Sequence, residues 1–328
     1  MTQTLTGPVP VIGWDVSRDE WLAARRHGLG GSDILAILGF SNYTTPWDVW
    51  ADKTGVRSWQ DEGSHAADLG NDLEPWLEQQ ANQILGVPVA KPAHRTYRHP
   101  QHSWQMCSPD GVVADGRLAE YKTAGLASGF GAPSGWADGA VPLGYEFQVR
   151  WSLYVMDRPS AEVIALIAGM GLQRRTIVRD VPLEIELVRQ VTEWYERHIV
   201  EGVEPPLGAA DNAALSKLYP RSEGTVLDLT GRDADEAMEA WNAYREARER
   251  ESAAKADKEK AGAVLKSLLG ANDRAVVDDK TLAVWSNKKG GVDWPALVAD
   301  LVERHNVPAP DPDTYRKPST RSLSVKDA

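Results

Sequence analysis

Through roughly residue 205 the apolar positions keep changing period, three to four apart in one stretch and two apart in the next. Residues 18–27 carry a helical spacing that Gly28, Gly30 and Gly31 interrupt, and Ser32-Asp33 can cap a second helix to about Leu38. Pro46 suits a first helical turn and opens a short helix that Gly55 closes. Residues 65–85 are helical in pattern, with Pro75 expected to force a kink or restart after Glu74. Residues 95–99 and 104–107 read as short strands. Val112–Ala114 and Leu118–Thr123 read as two strands joined by a tight Asp115-Gly116 turn, a dipeptide that tolerates the left-handed backbone of a hairpin. The Gly- and Ala-rich stretch 125–139 is expected to be a mobile loop. Residues 143–156 are helical, and 161–169 and 174–181 alternate as strands. Residues 182–201 form an amphipathic helix with Ile185, Val188, Val191 and Tyr195 on one face. This succession predicts an α/β or α+β fold, a mixed sheet flanked by helices.

The texture changes at Glu204-Pro205-Pro206-Leu207, which predicts one domain over 1–205 and a C-terminal extension over 206–328. Residues 232–269 make one long, helix-friendly segment whose alternating charges (Arg245, Glu246, Arg248, Glu249) mark a solvated or coiled helix. Residues 274–286 are patterned as a hairpin, and the tail from Asp311 is basic and expected to be extended.

Composition narrows the function classes. The chain has 328 residues, 42% hydrophobic and 25% charged, enough to bury a sizeable core. No apolar run approaches the ~18 residues of a membrane span, and the first residues lack the charged start and apolar stretch of a signal peptide. The single Cys107 excludes an intramolecular disulfide and a Cys-based zinc site, so a reducing, intracellular compartment is expected. The 7 His show no ligand spacing, and no phosphate-loop string for ATP-driven translocation occurs. A net charge of −11 argues against a general nucleic-acid binder, although a basic groove can coexist with an acidic metal site. The chain holds 13 Trp against 3 Phe, and a packing role is the commoner reading for them than a base-stacking platform.

The candidate chemistry lies in Ser108-Pro109-Asp110-Gly111, followed by Glu120-Tyr121-Lys122. Asp110 opens the predicted hairpin, and Glu120 and Lys122 lie two apart on its second strand, so they share a face that the turn returns toward Asp110. Two carboxylates and an ammonium can hold a hard divalent cation, which prefers few carboxylates, several waters and phosphate oxygens. The Tyr121 carbonyl is available as a further oxygen ligand. The same string also fits a surface hairpin with a weak Glu–Lys ion pair.

In this context the run from Ser108 to Lys122 resembles the catalytic core of the YqaJ-type viral recombinase family, the lambda-exonuclease branch of the PD-(D/E)XK nucleases. Three further stretches are similar to that family in the same order: Trp21 to Ile34, with Arg25 and Ser32; Gly70 to Pro75, with Glu74; and Tyr145 to Val155, with Gln148. The resemblance covers roughly residues 18–205. It implies a PD-(D/E)XK restriction-endonuclease-like core and a Mg²⁺ site for two ions, in which Mn²⁺ can substitute. Asp110, Glu120 and Glu74 would be the carboxylate ligands, Lys122 would position or activate water, and Gln148 would assist. Ser32 with Arg25, or with the adjacent Arg26, would form a pocket for a 5′-terminal phosphate.

The activity so implied is 5′→3′ digestion of double-stranded DNA to mononucleotides bearing 5′-phosphates, leaving 3′ single strands for phage-type recombination. The implied partners are DNA ends, a RecT-like or Bet-like single-strand annealing protein and further copies of the chain in a ring, in the cytoplasm of a bacterial host and not at a membrane. Two other readings fit the same residues: an endonuclease or nickase on the same metal core, and a DNA-end-binding assembly protein whose metal site is spent.

Overall fold

The computed structural model describes residues 7–56, 65–125, 133–231, 234–317 and 321–325. The chain forms two compact units, which divide between Leu218 and Tyr219. The first unit therefore continues past the Pro205-Pro206 break where the sequence suggests a boundary. The reason is local packing. A 3-10 turn at Ala209–Asp211 and the short helix after it cover Trp47 and Trp50, Trp47 Nε1 donates to Glu204 at 2.6 Å, and the Thr45 hydroxyl meets the Asp211 carboxylate.

In chain order the first unit runs β1 (Val9–Ile12), α1 (Arg18–Arg25), α2 (Gly31–Ile37), α3 (Pro46–Thr54) and α4 (His65–Leu85). It continues with β2 (Val89–Ala90), β3 (Thr96–Arg98), β4 (Met106–Cys107), β5 (Gly111–Val113) and β6 (Leu118–Ala124). It ends with α5 (Leu143–Met156), β7 (Ser160–Ile167), β8 (Gly171–Val178), α6 (Val181–Tyr195) and α7 (Asn212–Leu218). The main sheet has the order β2-β5-β6-β7-β8, mixed because β6 and β7 are parallel and the other pairs antiparallel. A parallel pair needs a crossover, and α5 supplies it. A smaller sheet, β1-β3-β4, carries the segment that leads into the hairpin.

Alternation along β6 assigns its two faces. Ala119 and Tyr121 pack with Leu77 and Ala81 of α4, whereas Leu118 and Ala124 belong to the larger core with Trp136, Val149, Trp151 and Leu187. The sheet is thus enclosed on both faces, which is why β6 and β7 are almost continuously buried. Glu120 and Lys122 fall on the α5 face.

Local chemistry explains where elements depart from expectation. The α2 helix is capped at Gly30, whose N–H donates to Asp33 Oδ2 at 2.8 Å, so Ser32 lies inside the first turn and is not the cap. Pro75 is accommodated within the single helix α4. The α6 helix gives way at Glu196 to a wider π turn, and its buried side is Glu184, Leu187 and Val191, leaving Ile185 65% exposed. Residues 126–132 of the expected mobile loop lie outside the described residues, and Trp136, just beyond them, is fully buried.

The second unit holds α8 (Ala234–Leu269), the hairpin of β9 (Arg274–Val277) and β10 (Lys280–Val284), and α9 (Trp294–His305). The α9 helix is absent from the sequence reading. Residues 232–233, 318–320 and 326–328, at the start of the expected long helix and in the expected extended tail, lie outside the described residues. Among the described residues no helix is long and apolar enough to cross a membrane.

Candidate active site

The tight turn at Gly116, with φ at 92°, folds β6 back on β5 so that Gly111 faces Ala119. A side chain at Gly111 would meet Val89 at 2.9 Å and the Tyr121 hydroxyl at 3.0 Å, so only glycine lets the hairpin close behind Asp110. The result brings Asp110 Oδ2 within 2.8 Å of the Tyr121 N–H, which donates to it. On the neighbouring positions of β6, Lys122 Nζ donates to Glu120 Oε1 at 2.6 Å. Gln148, from α5, donates its amide to the same Glu120 oxygen at 2.7 Å and accepts from Lys122 at 3.3 Å. Glu120, Lys122 and Gln148 therefore form a closed triangle of hydrogen bonds. The start of α2 lies directly on it, since a Cβ at Gly31 would come within 2.7 Å of Gln148 Cγ.

The electrostatics follow from crowding acids into a partly desolvated corner. Burial and the neighbouring Glu120 carboxylate push Asp110 well above the usual carboxylate range, against the pull of Lys122 and the Tyr121 N–H. Burial works against the Lys122 ammonium, but Glu120 and Asp110 outweigh it and hold its pKa above the ordinary lysine value. Burial also pushes the Cys107 thiol up, so it is not a nucleophile. Tyr121 turns its ring to the α4 face, and its buried hydroxyl has no hydrogen-bond partner among the described residues.

Asp110 and Gln148 line a cleft of about 250 Å³ whose other walls carry Glu74 from α4, Arg25 from α1, Ser32 from α2 and Arg95. Arg25 Nη2 donates to Ser32 Oγ at 3.0 Å and lies 3.9 Å from Asp33. Lys53 ties this wall together from behind, bonding Asp33 at 3.1 Å and the Arg25 carbonyl at 3.0 Å. Arg26 points elsewhere. Its Nε bonds Asp52 at 3.2 Å, and it lines a neighbouring cavity that Arg25 and Ser32 also border.

Of the residues singled out by sequence, Asp110, Glu120, Lys122 and Gln148 meet in one corner, and Arg25, Ser32 and Glu74 border the same cleft. Arg26 does not meet Ser32. The Tyr121 carbonyl lies on β6 between Glu120 and Lys122. Arg95, Trp14 and Trp21 also line the cleft and are not singled out by the sequence. The high tryptophan count is the one hint at the two indoles, and nothing in the pattern points to Arg95.

The donor set fits a hard cation. Asp110 and Glu120 offer oxygens, and the nearby sulfurs are the Met106 thioether and the Cys107 thiol, which burial disfavours as a thiolate. Among the described residues no group of three or more His, Cys, Asp or Glu makes a ready cage. Glu74 acts on Asp110 through space, from across the cleft. Such a two-carboxylate site with a more distant third acid suits an ion that keeps part of its water shell.

Residues 20–159 match the family described as YqaJ-like viral recombinase domain. The chain is 31% identical over 222 residues to the uncharacterized protein YqaJ of Bacillus subtilis (strain 168), covering 66% of this chain and 68% of that one. Among solved structures, it is similar to the alkaline exonuclease LHK-Exo of Laribacter hongkongensis, with a TM-score of 0.47 and 21% identity over 56% of this chain and 93% of that one. A phage-related exonuclease from Haemophilus somnus 129PT matches with a TM-score of 0.40 and 16% identity, over 54% and 96%.

Proposed function

The chain belongs to the YqaJ-like viral recombinase family, and we propose that within it the protein is a metal-dependent 5′→3′ exonuclease of double-stranded DNA. The observation that carries this reading is the Glu120–Lys122–Gln148 triangle, whose Gln148 lines one cleft together with Asp110 and the Arg25–Ser32 pair. Asp110 and Glu120, with Glu74 from the facing wall, would hold Mg²⁺, two ions in the full complement, or Mn²⁺ in its place. When bound, the cation supplies Lewis acidity toward a phosphoryl oxygen and toward water.

The chain's own residues divide the remaining work. Lys122 presents N–H donors to water or to a non-bridging phosphate oxygen, and its positive charge would offset the charge that builds on the phosphoryl oxygens. Gln148 fixes Glu120 by donating to Oε1 and holds Lys122 through its carbonyl oxygen. Arg25 and Ser32 would take the 5′-terminal phosphate, which sets how far from the end the scissile bond lies. Products would be 5′-phosphate mononucleotides and a 3′ single strand. A single-strand annealing protein of the RecT or Bet kind would use that strand, and a ring of identical copies would keep the enzyme on its substrate, in the cytoplasm of a bacterial host.

The test is linear duplex DNA beside a closed circle, each with Mg²⁺ or with EDTA. Nucleotide release from the linear form alone, lost in EDTA, is expected. Cutting of the circle would replace the exonuclease reading by an endonuclease. Binding of ends without cleavage under any divalent metal would leave an end-binding assembly protein.

A further inference from the structure

Arg95 precedes β3 and lines the cleft. Its guanidinium carbon lies 3.9 Å from the Trp21 ring centroid and 5.9 Å from that of Trp14. Lys91 lies 5.2 Å from the Trp14 centroid and Arg25 4.9 Å from that of Trp21. Cations and rings thus alternate in the order Lys91, Trp14, Arg95, Trp21, Arg25. The two indoles are anchored, Trp14 Nε1 donating to the Pro92 carbonyl at 2.8 Å and Trp21 Nε1 to the Thr96 hydroxyl at 3.1 Å.

This way of holding a guanidinium differs from the way other arginines of the unit are held. Arg117 and Arg174 are engaged by Glu162, Arg179 by Asp157 and Glu184, Arg150 by Glu146, and Arg26 by Asp52. A carboxylate engages the N–H edge of a guanidinium and neutralises it. A ring face takes the flat of the group and leaves the N–H edge and the charge for a ligand. Among the described residues Arg95 pairs with no carboxylate. Burial and the nearby positive Arg18 and Arg25 draw its pKa down, while Glu74 opposes them. Like charges gathered in a cleft cost free energy that a bound anion removes.

We infer that Arg95 binds an internal phosphodiester of the strand lying in the cleft, as a second phosphate-binding guanidinium beside the Arg25–Ser32 pair. That the anion is nucleic acid rests on the nuclease reading above. The internal position follows from what holds each arginine. Arg25 is tied to Ser32 and Asp33, whereas Arg95 is held by ring faces and feels Glu74, the acid that also bears on Asp110. Arg95 is therefore a second cation of the same cleft, separate from the Ser32 pair and influenced by the acid that bears on Asp110, where a strand held in the cleft can present a phosphate other than its terminal one.

The experiment measures binding without cleavage. Full-length protein in EDTA is titrated with a 3′-labelled single-stranded oligonucleotide carrying either a 5′-phosphate or a 5′-hydroxyl, by fluorescence anisotropy at several salt concentrations. Arg95→Gln is expected to weaken binding about tenfold to both oligonucleotides. It should also flatten the slope of log Kd against log salt by about 0.7, the share of one phosphate contact on a single strand. Arg95→Lys keeps the slope and recovers part of the affinity. Arg25→Ala weakens only the 5′-phosphate oligonucleotide. Wild-type affinity and slope in Arg95→Gln, with an unchanged melting curve, would overturn the inference. So would a loss confined to the 5′-phosphate oligonucleotide, which would move Arg95 into the terminal pocket. If the wild type binds neither oligonucleotide nor a 5′-phosphorylated linear duplex, the nuclease reading itself falls, which is a different result from failure of the variant alone.

Discussion

The two walls of the cleft are built in opposite ways. The acidic wall is local. Asp110, Glu120 and Lys122 come from one hairpin. The triangle with Gln148 fixes Glu120 and Lys122 at 2.6 to 3.3 Å, the Tyr121 N–H fixes Asp110 at 2.8 Å, and Asp110 and Gln148 reach the cleft. The cationic wall is assembled from parts distant in sequence: Arg25 and Trp21 from α1, Ser32 from α2, and Arg95 and Trp14 from the segments around the small sheet. Its cations are steered by ring faces and a hydroxyl, not by a strand register. The comparison teaches that chemistry fixed by backbone geometry sits opposite recognition fixed by side-chain packing. The two should then fail separately.

The largest expected effect belongs to the acidic wall. Lys122→Ala removes the donor shared by Glu120 and Gln148, and cleavage is expected to fall by about two to four powers of ten. Affinity for a DNA end should stay near that of the wild type, read by anisotropy in EDTA. Near-wild-type cleavage would remove Lys122 from the chemistry. Next comes Gly31→Ala, which forces a methyl group into the space of Gln148 Cγ. Cleavage should drop by roughly ten- to a hundredfold, since a misplaced polar group near the reacting atoms is costly. A crystal structure of that variant with Gln148 undisturbed would contradict this account.

On the cationic wall, Arg25→Ala should cut the preference for 5′-phosphorylated over 5′-hydroxyl duplexes by about tenfold, as expected for one charge-assisted contact. Ser32→Ala is the mildest, a shift of roughly two- to fivefold in the same ratio, because the hydroxyl contributes one ordinary hydrogen bond. Equal losses on both kinds of end would reduce Ser32 to a structural role. Arg26→Ala sharpens the comparison, since its guanidinium is taken by Asp52 and the ratio should not move.

The same contrast explains what could be read from the chain alone. The hairpin was legible because a tight turn and a two-residue period determine which side chains meet. Gln148 and Glu74 were visible through family resemblance, not through spacing, because their approach depends on how α4 and α5 pack on the sheet. The choice between Arg25 and Arg26 was closed to sequence. The fold favours Arg25 through Asp52 and Lys53 of α3, which engage Arg26 and brace Arg25 from behind. The helix cap moved from Ser32 to Gly30 because Asp33 reaches back to the Gly30 N–H, a contest between two good capping side chains that pattern does not arbitrate. The unit boundary moved to Leu218 because Trp47 and Trp50 needed cover that the proline pair did not announce.

The most direct test of separable walls uses one linear duplex, 5′-phosphorylated on a single end and labelled on either strand, with Mg²⁺ present. Wild type, Lys122→Ala and Arg25→Ala are followed for mononucleotide release from each strand and, in EDTA, for binding to each end. The account predicts release from the 5′-phosphate strand by wild type, release slowed by about two to four powers of ten in Lys122→Ala despite retained end binding, and a strand preference cut about tenfold in Arg25→Ala. Loss of end binding together with cleavage in Lys122→Ala, or an intact strand preference in Arg25→Ala, would contradict it.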